Sequence, residues 1–419
     1  MIKKILLVLL VLFASYADIF LFRMGIVPVQ PAQSLIPLFL GLFFIYYAPK
    51  SYLDILNTHT FKFVFFILVL KILYSIPSKA DGKIITEEIV RQVITMLLYL
   101  AALHTFRTAT QKEVRLFFIA SVALLAGSVW YDFFIGLPKY NLDLAQSLRK
   151  GGFGENPNQS SSGIKFLSLG LLFLLNKNVL ARNTLIFFMV SSVFLTFSRS
   201  GIVSIILILL VGTFNSWSTE LKIDPIKQSK NIFKIIILFV ALYGALLVFA
   251  NFIRSEVPAF TRGAAGARMD LLLGKSDDVI MESNDDSELS RFGLFKKYLN
   301  DFYDNPMGYG TGYSADRAFN QLKTHNYFLY FAVNFGFIAL LAYVFYLVKN
   351  LRLAMQSKQF YYLVFGLILM LEGLFSHSIM IERAILISIA FFDSIIYKKT
   401  ENVTSESAVI KETYKENLQ

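Results

Sequence analysis

Long apolar runs, roughly 17 to 25 residues each and divided by short basic or polar connections, recur along this chain, as spanning helices require. Inside a bilayer every backbone N–H and C=O must find a partner within the protein, so only helices and closed barrels cross it. The weak alternation of a membrane barrel is absent. Composition points the same way: 56% of residues are hydrophobic and 16% charged, where soluble domains reach about 25% charged. Mean hydropathy is +0.58. The expected fold is therefore all-α, a polytopic membrane protein with about twelve transmembrane helices and one large extracytoplasmic loop containing short helices.

The expected spans fall at residues 1–22, 33–47, 61–74, 89–106, 114–134, 164–175, 183–197, 201–214, 233–253, 327–348, 361–381 and 384–397. The first begins with Lys3 and Lys4 and contains Ser15-Tyr16-Ala17, which resembles a cleavage site. Apolar character continues past it, so an uncleaved span is preferred. No internal repeat is evident, which argues against repeat-built transporter folds.

Charge distribution sets the expected sidedness. A net charge of +11 in a soluble domain would suggest nucleic acid, but in a membrane chain the positions of the basic residues matter more, and no nucleic-acid partner is expected. With the N-terminus inside, Lys50, then Arg107, Lys112 and Arg115, then Lys177 and Arg182, all face the cytoplasm. So do Lys222, Lys227, Lys230 and Lys234, then Lys349, Arg352 and Lys358, and finally Lys398 and Lys399. The expected organisation is a membrane domain over 1–397, including a large outer loop at 254–324, and a polar cytoplasmic tail at 398–419. Cysteine is absent, which excludes disulfides, thiolate metal sites and cysteine nucleophiles.

The unusual polar residues gather on the outer side. Arg199, in Phe197-Ser198-Arg199-Ser200-Gly201, sits between two apolar runs with almost no loop. It is either a snorkelling arginine or an anion site whose planar fork suits a lipid-linked diphosphate. Arg291 follows an acidic stretch, Asp277, Asp278, Glu282, Asp285, Asp286 and Glu288, and opens an amphipathic segment with Phe292, Phe295, Leu299 and Phe302. Asp285 with Glu288 offers a capping box there, and the acidic stretch reads as solvated loop. A turn on Asn305-Pro306 with Gly308, Gly310 and Gly312 then leads to His325 at a helix entrance. The glycines permit positive φ and close backbone approach to a ligand, and His325 is a candidate general base, with an interfacial or capping histidine as the alternative.

Arg149 to Asn158 passes from basic to glycine-rich to Asn156-Pro157-Asn158, a plain turn or a phosphate or sugar contact. Glu372 is expected mid-span with His377 nearer the outer end of the same helix; an intramembrane carboxylate is either functional or paired with Lys71 or Lys165.

These motifs, taken together and in order, resemble the O-antigen ligase and O-antigen polymerase superfamily of bacterial envelope glycosyltransferases. The likeness rests on Gly154 to Asn158, Thr196 to Gly201, Arg291 with Asn305-Pro306 and Gly308, Gly310 and Gly312, His325-Asn326, and Asn334-Phe335-Gly336. It implies an inverting, metal-independent enzyme of the bacterial inner membrane, without cofactor. Its donor would be an undecaprenyl-diphosphate-linked glycan among inner-membrane lipids, and its acceptor a lipid A core sugar or a lipid-linked repeat unit. By the same resemblance Arg199 and Arg291 hold the donor diphosphate and His325 is the catalytic base; from the residues themselves, Asn158 is expected to bind substrate and Glu372 and His377 to support the site. The outer loop would close over the donor. A ligase is preferred to a polymerase because one large loop carries the motifs, and attachment of glycan to protein is a third option. A lipid-linked oligosaccharide flippase is the alternative from another class; it would distribute charges through both halves and break helices at the midplane. Arg262 and Arg268 are either further phosphate ligands or plain loop.

Overall fold

The computed structural model describes residues 2–138, 150–175, 177–221, 291–320 and 322–397, with isolated positions at 233, 237, 240 and 244, and with Arg291 and Phe292 as backbone alone. Apart from those isolated positions the span at 233–253 lies outside the described residues, as do Arg149, the stretch 254–290 with Arg262, Arg268 and its acidic residues, Lys222 to Lys230, Lys234, and the tail at 398–419.

Within the described residues each expected apolar run falls on helix. In chain order these are α1 (Ile2–Ala14), α2 (Ala17–Arg23), α3 (Leu35–Tyr46), α4 (His59–Leu73), α5 (Gly82–Thr108) and α6 (Gln111–Phe134). There follow α7 (Pro157–Leu175), α8 (Val179–Leu195), α9 (Arg199–Phe214), α10 (Arg291–Asp304), α11 (Tyr327–Gln356), α12 (Phe360–Gly373) and α13 (383–397). Three of them, α5, α6 and α11, are long and apolar enough to cross a membrane, or four spans if the bent pair α1–α2 counts as one; α3, α8, α9 and α12 are shorter apolar helices. The all-helical membrane class holds, and among the described residues these lengths give three or four full crossings without confirming the expected twelve.

Two expected spans are interrupted. The first bends by 74° between α1 and α2, where Tyr16 adopts φ 59 in the left-handed region and its hydroxyl reaches Glu382 across the fold. The run at 361–381 ends as helix at Gly373. Glu372 therefore stands at the last turn of α12 and not mid-span, and His377 lies beyond the helix, in a loop where the polar residues Ser378 and Glu382 hydrogen-bond each other.

Helix α7 runs through the centre, buried along most of its length from Pro157 to Leu172. Small residues allow it. A Cβ at Gly163 would meet Leu125 and Ala384, and one at Gly170 would strike the Phe118 ring, so α6 and α13 approach α7 as small-residue membrane interfaces permit. Buried Ser160, Ser161, Ser162 and Ser168 continue the stripe. The N-terminal turn of α7 therefore opens at the meeting point of several helix ends.

Helix α11 is broken at Gly336, with φ 69 and ψ −167. A break exposes backbone groups that lipid cannot satisfy. The glycine turn satisfies them: Tyr309 N–H donates to Val333 O at 2.8 Å, Gly310 N–H to Asn334 O at 2.9 Å, and Phe337 N–H to Pro306 O at 3.0 Å. Gly308, Gly310 and Gly312 do take positive φ, at 87, 107 and 90. The close approach they permit is to protein: a Cβ at Gly308 would meet Gly336, and one at Gly310 would meet Ser78 and Tyr74. Expectation of a ligand at this turn is thus corrected, because its backbone is committed to mending α11.

On the opposite end of the bundle Lys3 donates to Thr108 O at 2.9 Å and pairs with Glu113 at 2.8 Å. The N-terminus thus shares a face with the basic α5–α6 connection.

Candidate functional site

A polar cavity of about 90 Å³ lies where the N-terminal ends of α7, α9 and α11 meet the loop after α12. Asn158, His325, Glu372 and His377 all line it, together with Gln159, Ser200 and Glu382. Four of the six candidate residues therefore come together from distant parts of the chain.

His325 is placed by the start of α11. Asn326 caps that helix by accepting from Leu329 N–H at 3.0 Å, and His325 just before it takes φ 49, a conformation that costs about 1–2 kcal/mol for an L residue. Upstream, α10 steadies the approach: buried Leu294 and Tyr298 pack on Leu329 and Val333, and the Tyr298 hydroxyl donates to Leu322 O at 2.5 Å. The imidazole meets the His377 ring edge to face, centroids 5.6 Å apart.

Left-handed residues recur around the cavity. Tyr16, Glu155 and Phe197 have φ 59, 56 and 51; they reverse the chain before α2, α7 and α9 respectively. Strain of this kind persists where surrounding structure holds it and clusters at functional sites.

His377 is held below its ordinary 6.5, at about 3, first by burial and then by the charges of Lys323 and His325. It is therefore neutral at any physiological pH, and among the described residues its Nδ1 has no hydrogen-bond partner. Glu382 accepts from Gln159 Nε2 at 2.5 Å, from Ser378 at 3.1 Å and from Tyr16 at 3.3 Å. Burial raises its carboxyl above the usual carboxylate range, opposed by these hydrogen bonds and by Arg383. Sequence reasoning passed over Glu382, although its signal matches that of Arg199: a charged residue between two apolar runs on the outer side.

Glu372 takes the paired alternative. Its carboxylate is bridged to Lys165 Nζ, and Ser162 and Ser204 each donate to it at 3.0 Å. Lys71 pairs instead with Glu88 at 2.9 Å. The Glu372 ion pair thus ties α7, α9 and α12 together at the cavity floor.

Arg199 does not line the cavity. It is exposed at the first turn of α9, next to Ser200, which does line it. Ser198 caps α9 by accepting from Gly201 N–H at 3.2 Å, so the corner holds its turn tightly. Arg291 opens α10, and its side chain lies outside the described residues. Asn158 sits at the second position of α7, its N–H held by Asn156 Oδ1 at 3.0 Å. Among the described residues no group of three or more His, Asp or Glu side chains is arranged to hold a metal ion.

Fold and cavity together define a helical membrane protein with a polar, two-histidine site at one end of its helix bundle. Residues 184–344 match the family model described as O-antigen ligase, so this part of the chain is similar to that family. The matched segment contains Arg199, Arg291 and His325; Asn158, Glu372 and His377 lie beyond it. No curated protein matches the chain.

Proposed function

We propose that this protein is an inner-membrane glycosyltransferase that moves a glycan from undecaprenyl diphosphate to an acceptor sugar hydroxyl at the outer face. The observation that carries the reading is that His325, which belongs to the segment matching the O-antigen ligase family, lines a polar cavity with Asn158 and Glu382. In the reaction an imidazole nitrogen of His325 takes the acceptor hydroxyl proton. The acceptor oxygen bonds to the anomeric carbon from the face opposite the diphosphate, and the anomeric C–O bond to phosphate breaks. Configuration inverts, and undecaprenyl diphosphate leaves with the bonding pair.

Charge develops on the departing diphosphate, so fixed cations nearby lower the barrier most effectively. Arg199, exposed at the rim beside Ser200, and Arg291 at the head of α10 are assigned to that task. Asn158, Gln159 and Glu382 offer hydrogen bonds to sugar hydroxyls, and Glu372 with Lys165 keeps the floor rigid. A lipid A core acceptor would make this a ligase and a lipid-linked repeat a polymerase. The large outer loop at 254–324 that favours the ligase has its first half, 254–290, outside the described residues.

The test is envelope glycan analysis of a strain lacking the protein, complemented with wild type, His325→Asn or Arg199→Ala. Asparagine tolerates left-handed φ, so His325→Asn keeps the turn while removing the base, and product should fall by about 100-fold or more. Near-normal glycan from both variants, at normal protein levels, overturns the mechanism.

A further inference from the structure

Helix α10 carries three stripes at helical spacing. Leu294 and Tyr298 are buried against Leu329 and Val333 of α11. To one side of that contact lie Phe295, Leu299, Phe302 and Tyr303, and to the other Lys296, Asn300 and Asp304. The first flank is apolar and open: Phe295 is 41% exposed and Tyr303 69%, with Leu299 and Phe302 only partly buried. The second is polar, and Lys296, Asn300 and Asp304 are all exposed. A helix packed on a soluble core buries its apolar stripe and turns a polar face outward. This one sets an open apolar flank beside an open polar flank, the division found in helices that lie along a membrane surface. Tyr303 also has the amphipathic ring that such surfaces favour.

The open flank runs on into a surface that faces lipid. Just past the end of α10, Met307 is 53% exposed. It sits against the break in α11, where a Cβ at Gly336 would meet the Met307 carbonyl and Phe337 N–H donates to Pro306 O at 3.0 Å. From there Phe337, Ile338, Leu341 and Phe345 are exposed along one side of α11, a helix long and apolar enough to cross a membrane. In a spanning helix such residues meet lipid. Met307 thus stands where the apolar flank of α10 and the lipid-facing side of α11 join.

We propose that α10 is an interfacial helix, seated in the membrane surface at the His325 end of the bundle. Phe295 and Tyr303 enter the boundary between headgroups and acyl chains, while Lys296, Asn300 and Asp304 stay in water. The partner of this surface is the lipid itself. Seating α10 there sets its first residue, Arg291, at the level of the lipid phosphates, where the diphosphate of a membrane-bound donor stands. That consequence rests on the glycosyltransferase reading above; the seating itself does not.

The test uses the full-length protein in nanodiscs of phosphatidylethanolamine and phosphatidylglycerol. Cysteine is absent from the chain, so a single substitution to cysteine takes a nitroxide label at one place only. Collision with oxygen, which concentrates in lipid, is compared with collision with a water-soluble nickel chelate. Labels on Phe295→Cys, Tyr303→Cys and Met307→Cys should favour oxygen several-fold over labels on Lys296→Cys, Asn300→Cys and Asp304→Cys, as a label on Leu341→Cys does. Equal nickel access on both flanks overturns the inference, the apolar flank then facing water. Exclusion of both reagents from Phe295→Cys and Tyr303→Cys also overturns it, protein then covering the flank. The donor is tested separately. Phe295→Glu should raise the KM for a vesicle-borne undecaprenyl-diphosphate-linked glycan about tenfold, while Phe295→Trp keeps it near the wild-type value; an unmoved KM in Phe295→Glu overturns the depth assigned to Arg291. Absence of transfer by the wild type defeats the glycosyltransferase reading and leaves the label pattern, which requires no substrate, to decide the seating.

Discussion

His377 shows how a single residue in this site couples packing to protonation. Its imidazole sits at about 3, far below the ordinary 6.5, so the folded protein refuses a proton that the unfolded chain accepts. The resulting stability is fully present above pH 6.5 and is lost as pH falls from there toward 3. Thermal melting in detergent at pH 7 and pH 5 should therefore show acid destabilisation that shrinks in His377→Gln; an identical pH response in the variant contradicts the assignment. Asn158, His325, Glu372 and His377 were legible in the sequence because polar residues beside membrane runs are costly and stand out. Glu382 was equally visible by that rule.

At the scale of elements, the segment from α10 through the glycine turn to α11 acts as one unit. The amphipathic pattern from Arg291 falls on α10 as helix, but the residues buried against α11 are Leu294 and Tyr298, with Leu299 and Phe302 partly buried beside them and Phe295 exposed. The glycines marked positive φ correctly as well, but periodicity carries no sign that α11 breaks at Gly336, so their true partner was hidden. A Cβ at Gly336 would press on the Met307 and Pro306 carbonyls while φ stays at 69. Gly336→Ala should accordingly lower stability by roughly 1–3 kcal/mol and disturb the approach to His325, read as a lower melting temperature together with reduced transfer. An unchanged melting temperature would mean that the break tolerates a side chain and that the turn is not its brace. The ends of α1 and α12 were misplaced for a related reason: apolar character continues past Tyr16 and Gly373, and hydropathy does not register a left-handed residue or a helix stop.

Over the whole molecule, apolar composition and the spacing of runs were enough for an all-helical membrane fold, and the match over 184–344 supports ligase- or polymerase-type function in general. Helices of unequal length then bring loops from both halves of the chain to one polar cavity. A transporter would need such a site to change access; a transferase needs it to hold two sugars still. The decisive measurement is transfer by the purified protein in vesicles, supplied with an undecaprenyl-diphosphate-linked glycan of known anomeric configuration. The account predicts release of undecaprenyl diphosphate in step with a longer glycan whose new linkage is inverted, and loss of both in His325→Asn. Glycan that crosses the bilayer unaltered, with no new glycosidic bond, would contradict it.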